Sequence, residues 1–124
     1  MRGLILFAHG ARAPGWAGPL HETVERVRAA QPGLPVRLAF LEFLTPTLEE
    51  AGDALVSQGC TLVEIVPLFL GAGGHVRKDL PARTAALQQR HPGVTWQLRP
   101  AVGESPRVIE AMALAALDPP PLLP

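Results

Sequence analysis

Short apolar runs alternate along the chain with longer stretches in which apolar residues recur at helical spacing. Residues 3–8, GLILFA, form a continuous apolar run, as in a strand buried on both faces. Leu20, Val24 and Val27 then repeat at helical spacing, and QPG at 31–33 ends that helix. Residues 35–43, PVRLAFLEF, predict a second strand. Thr45 and Pro46 predict the N-cap and first position of a second helix, with Leu48, Ala51 and Leu55 as its apolar face and Gly59 at its end. Residues 61–70, TLVEIVPLFL, predict a third strand, rich in β-branched residues. After a glycine-rich stretch, Asp79 predicts the cap of a third helix running to about Arg90, stopped by HPG at 91–93. Residues 94–100 predict a fourth strand, and Ser105 with Pro106 opens a last helix that runs to 117.

Four strand–helix alternations imply right-handed βαβ units, a parallel sheet and helices on both faces. The expected fold class is therefore an α/β three-layer sandwich with a four-stranded parallel sheet. Residues 1–117 read as a single domain, and DPPPLLP at 118–124 as a proline-rich C-terminal tail that cannot be helical. At 124 residues the chain can bury a core without disulfides. Its only cysteine, Cys60, excludes an internal disulfide and reads as a small buried hydrophobe. Eleven Lys and Arg against eleven Asp and Glu give no basic excess, so no nucleic-acid partner is expected. No apolar run approaches the ~18 residues of a membrane span, and Leu4 to Ala8 is too short for a signal-peptide core. A soluble, cytoplasmic protein is the expectation.

In an open parallel sheet, ligands bind beyond the carboxyl ends of the strands, where strand order reverses. His9 ends the first expected strand, Glu42 lies near the end of the second, and His75 follows the glycines after the third. A lone histidine after a strand more often caps backbone, and a carboxylate between Leu41 and Phe43 is costly to bury without a partner. Together, two imidazoles and a carboxylate at one edge suit cobalt, nickel, iron or zinc better than magnesium or calcium. Gly73 and Gly74 would let backbone approach a ligand closely. Arg12, Arg77 and Lys78 lie in the same loops and can hold an anionic substrate, while Glu104 follows the fourth strand. His21 and His91 read as solvent-exposed.

Two other motifs fail. GAGGHVRK lacks the phosphate-loop spacing, because Asp79 stands where the hydroxyl is needed. AHGAR has Ala8 where phosphate-transferring histidine enzymes place an arginine.

LILFAHGAR, FLEFLTPTLEEA and above all VPLFLGAGGHVRKDLP resemble the small class II tetrapyrrole chelatases, the sirohydrochlorin cobaltochelatase family. The match runs from about Leu4 to Leu117. The resemblance implies ATP-independent insertion of a divalent metal into sirohydrochlorin, with cobalt first and nickel or iron next. It implies no tightly bound cofactor and a homodimer in which two four-stranded units form a cleft. It places His9, Glu42 and His75 as the catalytic and metal-binding set, with Arg12, Gly73, Gly74, Arg77 and Lys78 on the substrate. Ala11 departs from the family, which commonly has serine after the His-Gly pair. A metal or tetrapyrrole carrier using the same edge is the first alternative, and a phosphate- or nucleotide-binding module the second.

Overall fold

The computed structural model describes the chain except Ala72, Pro119, Pro124 and the side chain of His75. The elements follow in order: β1 (Arg2–Ala8), α1 (Gly18–Ala30), β2 (Val36–Phe40), α2 (Leu48–Ser57), β3 (Leu62–Pro67), α3 (Gly74–Arg90), β4 (Thr95–Leu98), a 3-10 turn (Val102–Glu104) and α4 (Pro106–Leu117). All strand pairs are parallel, and the sheet order is β2-β1-β3-β4. The chain steps from β1 outward to β2, then crosses back over β1 to β3. The reversal falls between β1 and β3, and their carboxyl ends form the crevice where a ligand fits.

Alternation along β1 explains the layers. Ile5 and Phe7 face one side and pack with Leu48, Ala51 and Leu55 of α2 and Leu80 and Leu87 of α3. Leu4, Leu6 and Ala8 face the other and pack with Val24 of α1, Val36, Leu38 and Phe40. Cys60 is buried at the edge of the first layer, as expected of a small hydrophobe. No helix among the described residues is long and apolar enough to cross a membrane.

Two expected helix starts move. The second helix is capped by Thr47 rather than Thr45. Thr47 Oγ1 accepts from the Glu50 N–H at 3.2 Å, and Glu50 accepts from the Thr47 N–H at 2.9 Å. Such a reciprocal cap contributes about 1 kcal/mol. Pro46 is not helical because its carbonyl accepts from the Phe40 N–H at 2.9 Å, which draws the chain back to the end of β2. The third helix begins six residues earlier than Asp79 suggested. Gly73 is its N-cap, and the Arg77 N–H closes the first turn on the Gly73 carbonyl at 3.0 Å. Asp79 and Pro81 therefore lie inside α3, where Asp79 sits 3.8 Å from Arg83 one turn on. In the last helix Ser105 is at the cap position but its side chain makes no capping bond.

His91 also departs from its expected exposure. Its Nε2 lies 2.8 Å from Asp53 Oδ1, and its ring tilts over Trp96 with centroids 5.9 Å apart, which ties α2, the end of α3 and β4 together. His21 is exposed, as expected.

Two carboxylates carry much of the polar cross-linking. Glu64 is buried on β3 and accepts from Arg2 Nε at 2.7 Å and Arg99 Nη2 at 2.6 Å, joining β1 and the end of β4. Glu49 on α2 takes both Arg83 Nε and Nη2 in a bidentate pair at 2.9 and 2.8 Å. The Arg2 hydrogen bond, helped by Arg99, holds the Glu64 carboxyl below the usual glutamate range, and the Arg83 hydrogen bond does the same for Glu49. A depressed folded pKa gives stability that is complete above the unfolded value of about 4.3 and lost as pH falls through the folded value. Urea midpoints should therefore drop as the pH is lowered below about 4.3. Glu64→Gln should reduce that acid-dependent drop, and an identical pH profile in the variant would contradict the assignment.

Candidate functional site

β1 delivers His9 to the strand-end crevice, and two backbone bonds hold the start of the β2 loop against it. Leu41 N–H donates to the Ala8 carbonyl at 2.9 Å, and Glu42 N–H donates to the His9 carbonyl at 3.0 Å. β2 ends at Phe40, so residues 41–46 form a loop rather than the expected strand. Glu42 is accordingly half-exposed, and the feared cost of burying it does not arise. Its Oε1 lies 3.0 Å from His9 Nε2.

That separation suits both chemical states of the pair. With a proton on Nε2, the imidazole donates to the carboxylate. Without one, nitrogen and oxygen ligands bound at 2.0–2.2 Å with right-angled to tetrahedral geometry stand about 2.8–3.6 Å apart. The two atoms can close on one cation with little movement. Among the described residues no cluster of three or more His, Cys, Asp or Glu could hold a metal ion. The side chain of His75, the third expected ligand, lies outside the described residues; its backbone is the second residue of α3.

A close approach locks the pair. Gly10 has φ +95°, and a Cβ there would stand 1.8 Å from the Glu42 carbonyl oxygen. A second lock holds the loop after β3. Gly103 N–H donates to the Phe69 carbonyl at 2.9 Å, and a Cβ on Gly103 would stand 1.8 Å from the Leu70 carbonyl oxygen. Phe69 crosses the crevice edge-on to both Phe7 and His9, with centroids 6.2 and 6.3 Å away. The crevice thus has a fixed aromatic wall beside the imidazole.

The other expected site residues are placed less closely. A Cβ at Gly73 or Gly74 would meet nothing within 4 Å, so these glycines open the approach to α3 without serving an internal contact. Arg77 reaches Glu104 at 3.6 Å, and Lys78 is exposed on α3. Both cations lie at the start of α3, and Arg77 and Glu104 line a cleft of 370 Å³ with Val76, Leu80, Leu98 and Pro100. His9 and Glu42 do not line it. Arg12 stands over the Phe43 ring, with its guanidinium carbon 4.6 Å from the centroid.

Sequence reasoning missed Phe43, Phe69, Gly10 and Gly103 as site-building residues. The His-Gly pair was a signal for Gly10. Gly103 had none, because its partner is 33 residues away in sequence.

The match to known proteins covers this whole region. The CbiX family model matches residues 3–116. The sirohydrochlorin cobaltochelatase of Methanocaldococcus jannaschii is 30% identical over 91 residues, which is 73% of this chain and 64% of that one. The crystal structure of a CbiX protein from Marinobacter aquaeolei superposes with a TM-score of 0.81 at 30% identity, covering 95% of this chain and 96% of that one. The structure of the sirohydrochlorin chelatase SirB from Bacillus subtilis subspecies spizizenii, in complex with cobalt, superposes with a TM-score of 0.76 at 27% identity. This chain covers 50% of that one, and it spans 42% to 64% of the length of the first sequence relatives it matches. The four-stranded parallel sheet, its helices and the sequence match agree: this chain belongs to the CbiX family.

Proposed function

We propose that this protein inserts a divalent metal into sirohydrochlorin without ATP, with cobalt as the foremost metal and nickel or iron as the others. The observation that carries this reading is the His9–Glu42 pair, 3.0 Å apart across the carboxyl ends of β1 and β2 of a parallel sheet. Insertion exchanges two pyrrole N–H protons for one dication, with no change of oxidation state. The pair offers what that exchange requires. His9 receives the ion or accepts a pyrrole proton, since imidazoles serve in both roles near neutral pH. Glu42 orients the imidazole and offsets the incoming charge. His75 is the proposed third member from its place on α3. The substrate's peripheral carboxylates would meet Arg12, Arg77 and Lys78, with Gly73 and Gly74 leaving room for the ring.

Residues 1–117 would form the chelatase domain, with 118–124 as a tail. A single four-stranded unit offers one wall to a flat macrocycle, and the proposed second wall is another copy of this chain. α4 supports that arrangement. No residue of α4 is buried, and Ile109, Met112, Leu114 and Leu117 are all exposed. The apolar pattern of α4 would suit core packing, yet these apolar side chains stay exposed. The protein should elute as a dimer in size-exclusion chromatography, and Leu114→Glu should shift it toward monomer. A wild-type monomer at micromolar concentration would contradict the dimer.

The test of the function is absorbance. Mixing the protein with sirohydrochlorin and cobalt, nickel or ferrous iron in turn should change the macrocycle spectrum faster than buffer does. Binding without acceleration would make the protein a carrier.

A further inference from the structure

Phe43 is a large apolar residue that the fold holds out of its core at a backbone cost. It is 53% exposed. Its φ is +65°, and among the described residues it is the only non-glycine in the left-handed region. Leu44 N–H donates to the Glu42 carbonyl at 2.8 Å, so Phe43 is the middle residue of a three-residue turn in its rarer, strained hand. A bulky side chain in this region costs on the order of 1–3 kcal/mol, and such outliers persist where the surroundings enforce them. Here the surroundings do so. Gly10 packs on the same Glu42 carbonyl that closes the turn, and Leu44 is anchored in the α1 layer. The residue that pairs with His9 and the strained phenylalanine are therefore neighbours in one locked loop.

Packing does not repay that strain, because Phe43 is absent from both core layers. What the ring does meet is Arg12, whose guanidinium lies over it at 4.6 Å. This arrangement presents an apolar face and a fixed cation side by side, one residue from Glu42. A flat aromatic macrocycle with peripheral carboxylates has the complementary chemistry on both counts.

We infer that Phe43 is the residue that seats the macrocycle at this site, its ring meeting the apolar body of the substrate while the stacked Arg12 takes one peripheral carboxylate. The inference rests on the chelatase reading and adds to it a specificity-determining contact. Phe43 acts on the macrocycle and not on the metal, so the two substrates of the reaction separate in their dependence on it.

The experiment uses metal-free sirohydrochlorin as one probe and cobalt alone as the other, each titrated into wild-type, Phe43→Gly and Phe43→Trp proteins. Glycine removes the ring and relieves the left-handed backbone, so the thermal midpoint of Phe43→Gly should hold or rise. Its affinity for sirohydrochlorin should fall about fivefold to tenfold, the range expected for one aromatic contact. Phe43→Trp should keep wild-type affinity within about twofold. Cobalt binding should be the same in all three. Phe43→Gly binding sirohydrochlorin as tightly as wild type would overturn the inference while leaving the chelatase reading intact. So would an equal loss of cobalt binding, or a changed oligomeric state, since either would give Phe43 a different task. Wild-type protein that fails to bind sirohydrochlorin would remove the chelatase reading, and this inference with it.

Discussion

Replacing Gly10 with alanine should destabilise the protein by about 3 kcal/mol or more and separate His9 from Glu42. Two independent effects add. The backbone at Gly10 is left-handed at φ +95°, and the new Cβ would stand 1.8 Å from the Glu42 carbonyl oxygen. That oxygen is backbone and cannot swing aside as a flexible side chain would. The β2 loop must move, and with it the Glu42 N–H bond to the His9 carbonyl and the turn through Phe43. A loss of this size is a large part of the roughly 5–15 kcal/mol that holds a domain folded. It should lower the thermal midpoint by roughly 10 °C or more. Gly93→Ala is the matched control. Nothing lies within 4 Å of its added Cβ and its φ is not in the left-handed region, so it should be near neutral. Equal midpoints for the two variants would show that the Gly10 contact does not shape the site.

His9→Ala should reduce metal insertion at least about 100-fold with little change in stability, the size expected when a positioned proton-transfer group is lost. The imidazole is half-exposed and its contacts are the Glu42 carboxylate and the edge of Phe69, so its removal leaves the core intact. On the proposed reading, its loss removes both the proton acceptor and the nitrogen ligand at the crevice. Glu42→Gln keeps a side chain of the same shape beside His9 but removes the negative charge. It should lie between wild type and His9→Ala in activity and bind cobalt more weakly than wild type. A Glu42→Gln variant with full activity and full cobalt affinity would leave Glu42 a purely structural role.

The layers of the fold were legible because periodicity reports burial directly. The apolar run of β1 appears as a strand buried on both faces, and Leu48, Ala51 and Leu55 face the core from α2. Helix starts were less legible, since several residues compete to cap. Thr45 with Pro46 reads as a cap and first turn, but Pro46 is drawn into extended pairing with Phe40, and Thr47 wins with Glu50 as its reciprocal partner. Asp79 and Pro81 read as a helix start, yet α3 begins at Gly73 and runs through both. The apolar pattern of α4 suits core packing as well as an interface, and pattern alone does not show that its residues are left unburied.

The candidate site was legible only as residue types at strand ends. Parallel topology puts the ends of β1 and β2 side by side, which is why His9 and Glu42 could be paired across 33 residues. The parts that hold the pair were not legible, because they are long-range or conformational. Gly103 acts through the Leu70 carbonyl, and the left-handed turn at Phe43 has no local composition signal.

The most direct measurement is the initial rate of cobalt entry into sirohydrochlorin, without ATP at neutral pH, for buffer, wild type and His9→Ala side by side. Wild type should exceed buffer by orders of magnitude, with His9→Ala falling to within a few-fold of buffer. A wild-type rate equal to buffer, or a His9→Ala rate equal to wild type, would contradict metal insertion at the His9–Glu42 pair.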